Sequence, residues 1–406
     1  MKALIIMLLA MLVGYSARSA EVTVTNPTNT LRSGEIVEVE VASLGFPKGA
    51  TLVVFNGEGV EIPSQITYDG KLIFCADVNG AATVTYTVKN GKPSNYQTYA
   101  CGKVYPERVD DLAWESNLIA YRIYGPALQA SGERAFGNDV WLKNNTELPV
   151  VEARYAMELN PETRAKIAEL RKTDKKAARA LAASVSYHHD HGNGFDPYKV
   201  GPTLGAGATA LLDKNSIIYP YCYSKCEILD NGPLRFTAKM TYRPTAIGKK
   251  CATETRTISI DYGSFLNKTT VCYNGSKGKY KAMSGIVLHE ESPRTTYNAK
   301  QGYVTYAERV KPAKAGELYL AMYFPEGWDG AENRFWNKND EMPKGTYGHA
   351  AVYNTLKEGE TLTYWWGGLW NKVTAVDVKT KEVFDALVAK TVANKKSPLQ
   401  VRVTIK

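Results

Sequence analysis

The stretch LRFTAKMTY at positions 234–242, with TETRTISI at 253–260, decides the fold class. In the first, Phe236, Ala238 and Met240 alternate with Arg235, Thr237 and Lys239. In the second, Glu254, Arg256, Ile258 and Ile260 share one face, and Thr255, Thr257 and Ser259 take the other. A period of two belongs to strands, whose side chains point alternately to the two faces of a sheet. Working outward, strand patterns return at Ile217–Tyr223, Ile286–His289, Gly302–Glu308, Leu318–Tyr323, Ala350–Tyr353, Glu360–Trp366 and Leu399–Ile405. Many antiparallel strands with long connections predict a mainly β protein with a large two-sheet sandwich over 107–406.

Upstream, Val22, Val24, Ile36, Val37, Val39 and Val41 alternate with polar residues, and Leu52–Phe55 is an apolar run. Turn pairs such as Asn56-Gly57, Asp69-Gly70 and Asn79-Gly80 separate them. Short strands at this spacing predict a small β-sandwich over 21–106, with Tyr105-Pro106 as the linker. One segment breaks the pattern. Asn160-Pro161-Glu162 combines a cap residue, Pro at the first helical position and an acid in the first turn. Ile167, Leu170, Ala177, Ala178 and Leu181 follow at helical spacing, with Lys172, Lys175, Lys176 and Arg179 solvated. The prediction is a helical pair or one bent helix near 161–184, and a late helix over Lys381–Val392.

At the N-terminus, Lys2 precedes an apolar run from Ala3 to Val13, and small residues follow at Ser16, Ala17, Ser19 and Ala20. The run is too short to span a bilayer and has the order of a signal peptide over 1–20, cut after Ser19 or Ala20. With no Cys beside the cleavage point and no later spanning stretch, the mature chain is expected in a periplasm or outside the cell, without membrane insertion. The net charge of +9 suits an anionic partner. No stripe of Lys and Arg interleaved with aromatics points to nucleic acid. The six Cys leave disulfide pairing open, and Cys222 and Cys226 lack a second pair at zinc-finger spacing.

Three groups of residues can carry chemistry. The densest is YHHDHGNGFDPY at 187–198, with three of the chain's five His within four positions. Imidazoles act as acids or bases near neutral pH, and flanking Gly192 and Gly194 allow a sharp loop. A catalytic or sugar-binding loop, a metal site using His with Asp190 or Asp196, and a structural polar loop all fit this pattern. The second group is Tyr121, Arg122 and Tyr124, followed by Asp139, Trp141 and Lys143. In strands Arg122 and Tyr124 share a face, as do Asp139 and Trp141. Arg offers bidentate recognition of a carboxylate and the aromatics offer stacking; an Arg–Asp ion pair within a sheet is the alternative. The third group is His289 with Glu290, His349, and Trp366 within an aromatic segment. No nucleophile elbow, phosphate loop, dinucleotide fingerprint or zinc-protease helix motif is present.

The segments AYRIYGPAL (120–128), NDVWLKN (138–144), SYHHDHGNGFDPYKVGPTLGAGATAL (186–211), NGPLRFTAKMTY (231–242) and ETRTISIDYGS (254–264) resemble a family of secreted proteins from glycan-degrading bacteria that is classed as a domain of unknown function. Its members tend to be encoded near enzymes that degrade pectin and other uronic-acid glycans. GEGVEIPSQ (57–65) and DGKLIF (69–74) are similar to the start of exo-acting rhamnogalacturonan lyases. The resemblance implies a galactose-mutarotase-like β-supersandwich and an oligo- or polysaccharide ligand. No cofactor is required, although a calcium ion is compatible.

Cleavage beside a uronic acid then takes two forms. In β-elimination Arg122 or Arg256 neutralises the carboxylate, and His189 or His191 is the base, oriented by Asp190 or Asp196. Tyr198 or Tyr121 supplies the proton. Hydrolysis asks for two carboxylates, with Asp190, Asp196, Glu254 and Glu290 available. His289 and His349 are alternative centres, Tyr121, Tyr124, Asp139, Trp141, Lys143, Asp196, Arg256, His349 and Trp366 are expected to line the ligand, and a non-catalytic glycan binder is the competing class.

Overall fold

A computed structural model describes residues 18–144, 149–337, 340 and 342–406. The alternating stretch at 234–242 lies in the strand Arg235–Tyr242, paired antiparallel with Tyr223–Asn231 and Lys250–Asp261. From there a nine-stranded sheet continues through Leu266–Gly275, Thr361–Trp370, Glu317–Tyr323, Tyr303–Arg309 and Arg294–Asn298, with Thr245–Ile247 added beside Lys250–Asp261. A five-stranded sheet runs Ser216–Ile218, Ala206–Asp213, Lys279–Leu288, Gly348–Lys357 and Gly330–Phe335.

The alternation explains why these sheets face each other. Phe236, Ala238, Met240, Ile258 and Ile260 share one core with Leu211, Ile286 and Val352 of the five-stranded sheet. Each large side chain so buried contributes about 1.5–3 kcal/mol. Polar groups also tie the layers together: Tyr364 donates to Gly207 O at 2.8 Å and accepts from Thr209 Oγ1 at 2.9 Å. Gly207 has φ +99°, and a Cβ there would stand 2.8 Å from the Trp366 Cβ, so the close approach of the layers demands glycine. The helix Lys381–Lys396, capped by Thr380, buries Phe384, Val388 and Val392 at helical spacing. These sheets belong to a unit spanning Gln97–Pro398.

The other unit comprises residues up to Tyr96 together with Leu399–Lys406. Its five-stranded sheet has the order Gln400–Ile405, Ser19–Thr25, Thr83–Asn90, Leu52–Phe55, Glu61–Ile62. A three-stranded sheet of Arg32–Glu40, Lys71–Val78 and Ser64–Ile66 accompanies it, and Val22, Val24, Val37, Val39, Leu72, Phe74 and Val88 form the core. The last strand differs from its expected place. Sequence order assigns it to the large sandwich, whereas Ala20 pairs with Ile405 and Thr25 with Gln400. The expected signal segment lies outside the described residues as far as position 17, and the first strand starts at Ser19, where cleavage was expected. No helix of the described residues is long and apolar enough to cross a membrane. The six Cys are not joined in disulfides.

The helical segment contains two helices, Pro161–Thr173 and Lys175–Val185, rather than one bent helix. Asn160 accepts from Thr163 N and caps the first; Asp174 accepts from Lys176 N and Ala177 N and caps the second. A further helix, Val151–Leu159, precedes them. Its mixed face of Val151, Arg154 and Tyr155 is buried, so a search for apolar residues alone passes it over.

Candidate functional site

A four-stranded sheet positions the second residue group: Asn138–Trp141, Ala120–Ile123, Asp111–Glu115 and Cys101–Tyr105. Its register sets Arg122 opposite Asp139 and Ala113, and Ala120 opposite Trp141 and Glu115. One face therefore carries Leu112, Trp114, Tyr121, Ile123 and Val140, all part of the main core. The other carries Asp111, Glu115, Arg122, Asp139 and Trp141, with Trp141, Tyr155 and Tyr187 clustered over it. The one-residue step from Tyr121 to Arg122 thus separates core from site.

Arg122 is the centre of this second face. Its side chain is 3% exposed, while those of Asp111, Asp139 and Asp196 are fully buried. Nε donates to Asp139 Oδ2 at 2.8 Å, and Nη2 donates to Asp196 Oδ2 at 2.8 Å and to Tyr124 Oη at 3.2 Å. The guanidinium lies 4.8 Å from the Tyr124 ring centre, 5.2 Å from Trp141 and 5.6 Å from Tyr187. Trp141 and Tyr187 stack at 4.8 Å. Asp111 Oδ2 is 3.9 Å from Arg122 Nη1 and 3.9 Å from Arg108 Nη1. Arg108 Nη2 donates to Tyr187 Oη at 2.8 Å.

Three carboxyls around one buried cation leave negative charge in excess. Burial pushes the Asp111 carboxyl up to about 6 against the pull of Arg122 and Arg108. Burial, then the Asp139 carboxylate, holds Asp196 well above the usual carboxylate range. Asp111 Oδ2 and Asp196 Oδ1 are buried without a hydrogen-bond partner, an arrangement that costs about 1–3 kcal/mol per group. The approach to Asp111 is strained as well: Val109 and Asp110 have φ of +50° and +63°. Gly125, whose Cβ would stand 2.0 Å from Asp110 O, admits this path.

The polar loop is stapled to the same sheet. Leu142 and Phe195 exchange backbone hydrogen bonds at 2.8 and 3.1 Å, and Asp196 N donates to Tyr187 O at 2.9 Å. Of the loop's histidines, His188 reaches the Arg122 cluster: Nδ1 donates to Asp196 O at 2.8 Å and lies 3.5 Å from Asp196 Oδ2. His189 and His191 do not. His189 is exposed, and His191 Nε2 bonds to Ser186 O at 2.8 Å. Asp190 accepts from Gly192 N and Gly194 N, which makes it a turn-former. Among the described residues no set of three or more His, Cys, Asp and Glu gathers to hold a metal.

Other expected site residues lie elsewhere. Tyr198 packs edge-on against His289 at 5.2 Å. His289 bonds through Nδ1 to Glu308 Oε2 at 2.8 Å and through Nε2 to Lys199 O at 2.9 Å. Both partners are acceptors, so the imidazolium fits this place. Tyr121 donates to Phe265 O and accepts from Gly368 N inside the core. Arg256 is paired with Glu254 and donates to Thr209 O between the sheets. Trp366 donates to Thr269 Oγ1 in the same core. His349, fully buried, accepts from Leu204 N at 3.0 Å. Lys143 is buried against Glu115, which also accepts from Val150 N and Val151 N at the start of a helix. These five satisfy packing and backbone. Sequence reasoning missed Arg108, Asp111, His188 and Glu308. Asp111 carried a usable signal, since it alternates with Ala113 and Glu115 in a strand as Arg122 does with Tyr124.

A family model described as "Domain of unknown function (DUF4861)" matches residues 24–401. The chain is 24% identical over 373 residues to "Uncharacterized protein P7" of Formosa agariphila, covering 85% of this chain and 88% of that protein. Among solved structures it is similar to a protein in glycosyl hydrolase family 38 from Enterococcus faecalis, with TM-score 0.49 and 8% identity, covering 95% of this chain and 47% of that one. An α-mannosidase from Enterococcus faecalis V583 gives TM-score 0.44 and 9% identity, covering 95% and 46%. The chain spans about half the length of these two solved proteins. By the extent of the family match, the chain belongs to the DUF4861 family, a domain of unknown function.

Proposed function

We propose that this protein is exported and hydrolyses a glycosidic bond in an acidic, uronic-acid-containing glycan such as pectin, at the Arg122 cluster. The observation that carries this reading is the pair of buried carboxyls, Asp111 and Asp196, each with an unpartnered oxygen and a raised affinity for its proton. A carboxyl that keeps its proton near neutral pH serves as a general acid. Asp196 protonates the leaving oxygen as the bond to the anomeric carbon breaks, and Asp111 takes a proton from the attacking water. Tyr124, Arg108 and His188 are the neighbours of the cluster that reach solvent, and in this reading they meet the sugar first. Arg122 is already held by Asp139 and Asp196, which favours hydrolysis over an elimination that needs a free arginine.

The enclosure of the cluster favours a second reading, a non-catalytic glycan-binding accessory protein. One assay separates the two. Purified protein is incubated with a panel of uronic-acid polymers and oligosaccharides. New reducing ends without near-ultraviolet absorbance, abolished in folded Asp196→Asn and Asp111→Asn variants, support hydrolysis. Rising absorbance means elimination and sinks the proposed mechanism; binding without either product leaves the accessory role.

A further inference from the structure

Beside the polar loop, the helices Pro161–Thr173 and Lys175–Val185 enclose an open hollow of about 520 Å³. Helical spacing explains its walls. Arg164, Ile167 and Arg171 stand at i, i+3 and i+7 on one helix; Arg179, Ala182, Ala183 and Ser186 follow the same rhythm along the other. Ile167 and the two alanines leave an apolar floor with room above it. Arg164, Arg171, Arg179 and His189 are among the residues that line it.

The charge is unbalanced locally. Between 161 and 185 the acids are Glu162, Glu169 and Asp174, against seven Lys and Arg. Glu169 pairs with Lys172, and Asp174 caps its helix. Glu158 is the acid that lines the hollow, and its Oε2 already accepts from Tyr187 N at 2.9 Å. Arg164, Arg171 and Arg179 stand among neither the ion pairs nor the side-chain hydrogen bonds of the described residues. Like charges around one hollow repel one another, and an anion between them relieves that repulsion. The planar guanidinium forks match oxyanions that accept two parallel hydrogen bonds.

We propose that this hollow is a binding site for a ligand bearing carboxylate or sulfate groups on a saccharide, held by Arg164, Arg171 and Arg179. It rests on the preceding reading only in taking a saccharide as the carrier of the charge, and it requires no catalysis at Asp196. The test is calorimetric titration of the full chain, at two salt concentrations, with oligogalacturonate, a sulfated galactan oligosaccharide, a neutral galactan oligosaccharide and inorganic sulfate.

The expected result is binding of at least one charged oligosaccharide, weakening at least tenfold between low and high salt. It should also weaken at least tenfold in the triple variant Arg164→Ala, Arg171→Ala, Arg179→Ala, in the wild-type and Asp196→Asn backgrounds alike. Which charged saccharide binds identifies carboxylate or sulfate as the recognised group. All three arginines are exposed, so the triple variant should fold, and circular dichroism checks this. Equal affinity for the neutral oligosaccharide, equal affinity for inorganic sulfate, no binding of any charged saccharide, or an unaffected triple variant would each overturn the proposal. Loss of binding in Asp196→Asn with retention in the triple variant would overturn it too and move the anion to the Arg122 cluster.

Discussion

Arg122 Nε donates to Asp139 Oδ2 over 2.8 Å, directly across a strand register in which the two residues are Cα partners. Both side chains are almost wholly buried. Removing one member of such a pair strands the other charge, at about 3–5 kcal/mol, whereas replacing both by apolar groups of similar volume costs far less. Arg122→Met, which leaves Asp139, Asp196 and Asp111 without their shared cation, should therefore lower the unfolding free energy by about 3–5 kcal/mol in urea melts. The double variant Arg122→Met, Asp139→Leu should lie above the single one. Simple additivity of the two changes would show that the pair is not coupled.

Asp111 gives the stability a defined acid limb. Its carboxyl is held up at about 6 against an ordinary 3.8. A raised carboxyl contributes stability that is complete below its unfolded value and lost as pH rises through the folded one. Over pH 4 to 6 the wild type should lose up to about 3 kcal/mol relative to Asp111→Asn. Parallel stability curves for the two proteins over that range would contradict the assignment.

The half-buried His289 and the buried His349 should tilt stability in opposite directions. His289 is raised because Glu308 outweighs the effect of its own burial, so its contribution is full below about 6.5 and fades as pH climbs past that value. His349 is pushed down to about 3 by burial, then by Arg334; its contribution is full above about 6.5 and is lost on acidification toward 3. Proton NMR of the imidazoles checks both. His289 should remain charged where free histidine has titrated, and His349 should remain neutral at pH 5.

Gly192 and Gly194 both adopt positive φ, +97° and +103°, but they differ in surroundings. A Cβ at Gly192 meets nothing within 4 Å, so Gly192→Ala carries backbone strain of about 1–2 kcal/mol alone. A Cβ at Gly194 would stand 1.8 Å from Leu142 O, breaking the staple between loop and strand. Gly194→Ala should cost clearly more in thermal melts and should raise hydrogen exchange at Phe195 and Asp196.

Period-two patterning made the strands legible, and Arg122 with Asp139 was readable as a facing pair because both lie in short alternating runs. Depth was not readable. Alternation separates two faces without saying which is covered, so Arg256 and Trp366 had the same standing as Tyr124 until the second sheet was placed over them. Convergence was hidden too. Three histidines in four positions look equivalent in sequence, yet the turn made by Asp190 sends only His188 toward Asp196. Glu308, on a strand of the nine-stranded sheet, and His289, just past a strand of the five-stranded one, meet across two sheets, a contact that no local spacing announces.

Translation is directional, and the pairing of Ser19–Thr25 with Gln400–Ile405 has a consequence for the nascent chain. Ser19–Thr25 leaves the ribosome long before its outer neighbour Gln400–Ile405. Until Gln400–Ile405 emerges, one row of backbone N–H and C=O groups on Ser19–Thr25 stays unpaired, the kind of edge on which other strands add and aggregates start. Whatever keeps this chain from associating during synthesis must shield that edge, and a truncation that removes only the last strand reopens it permanently.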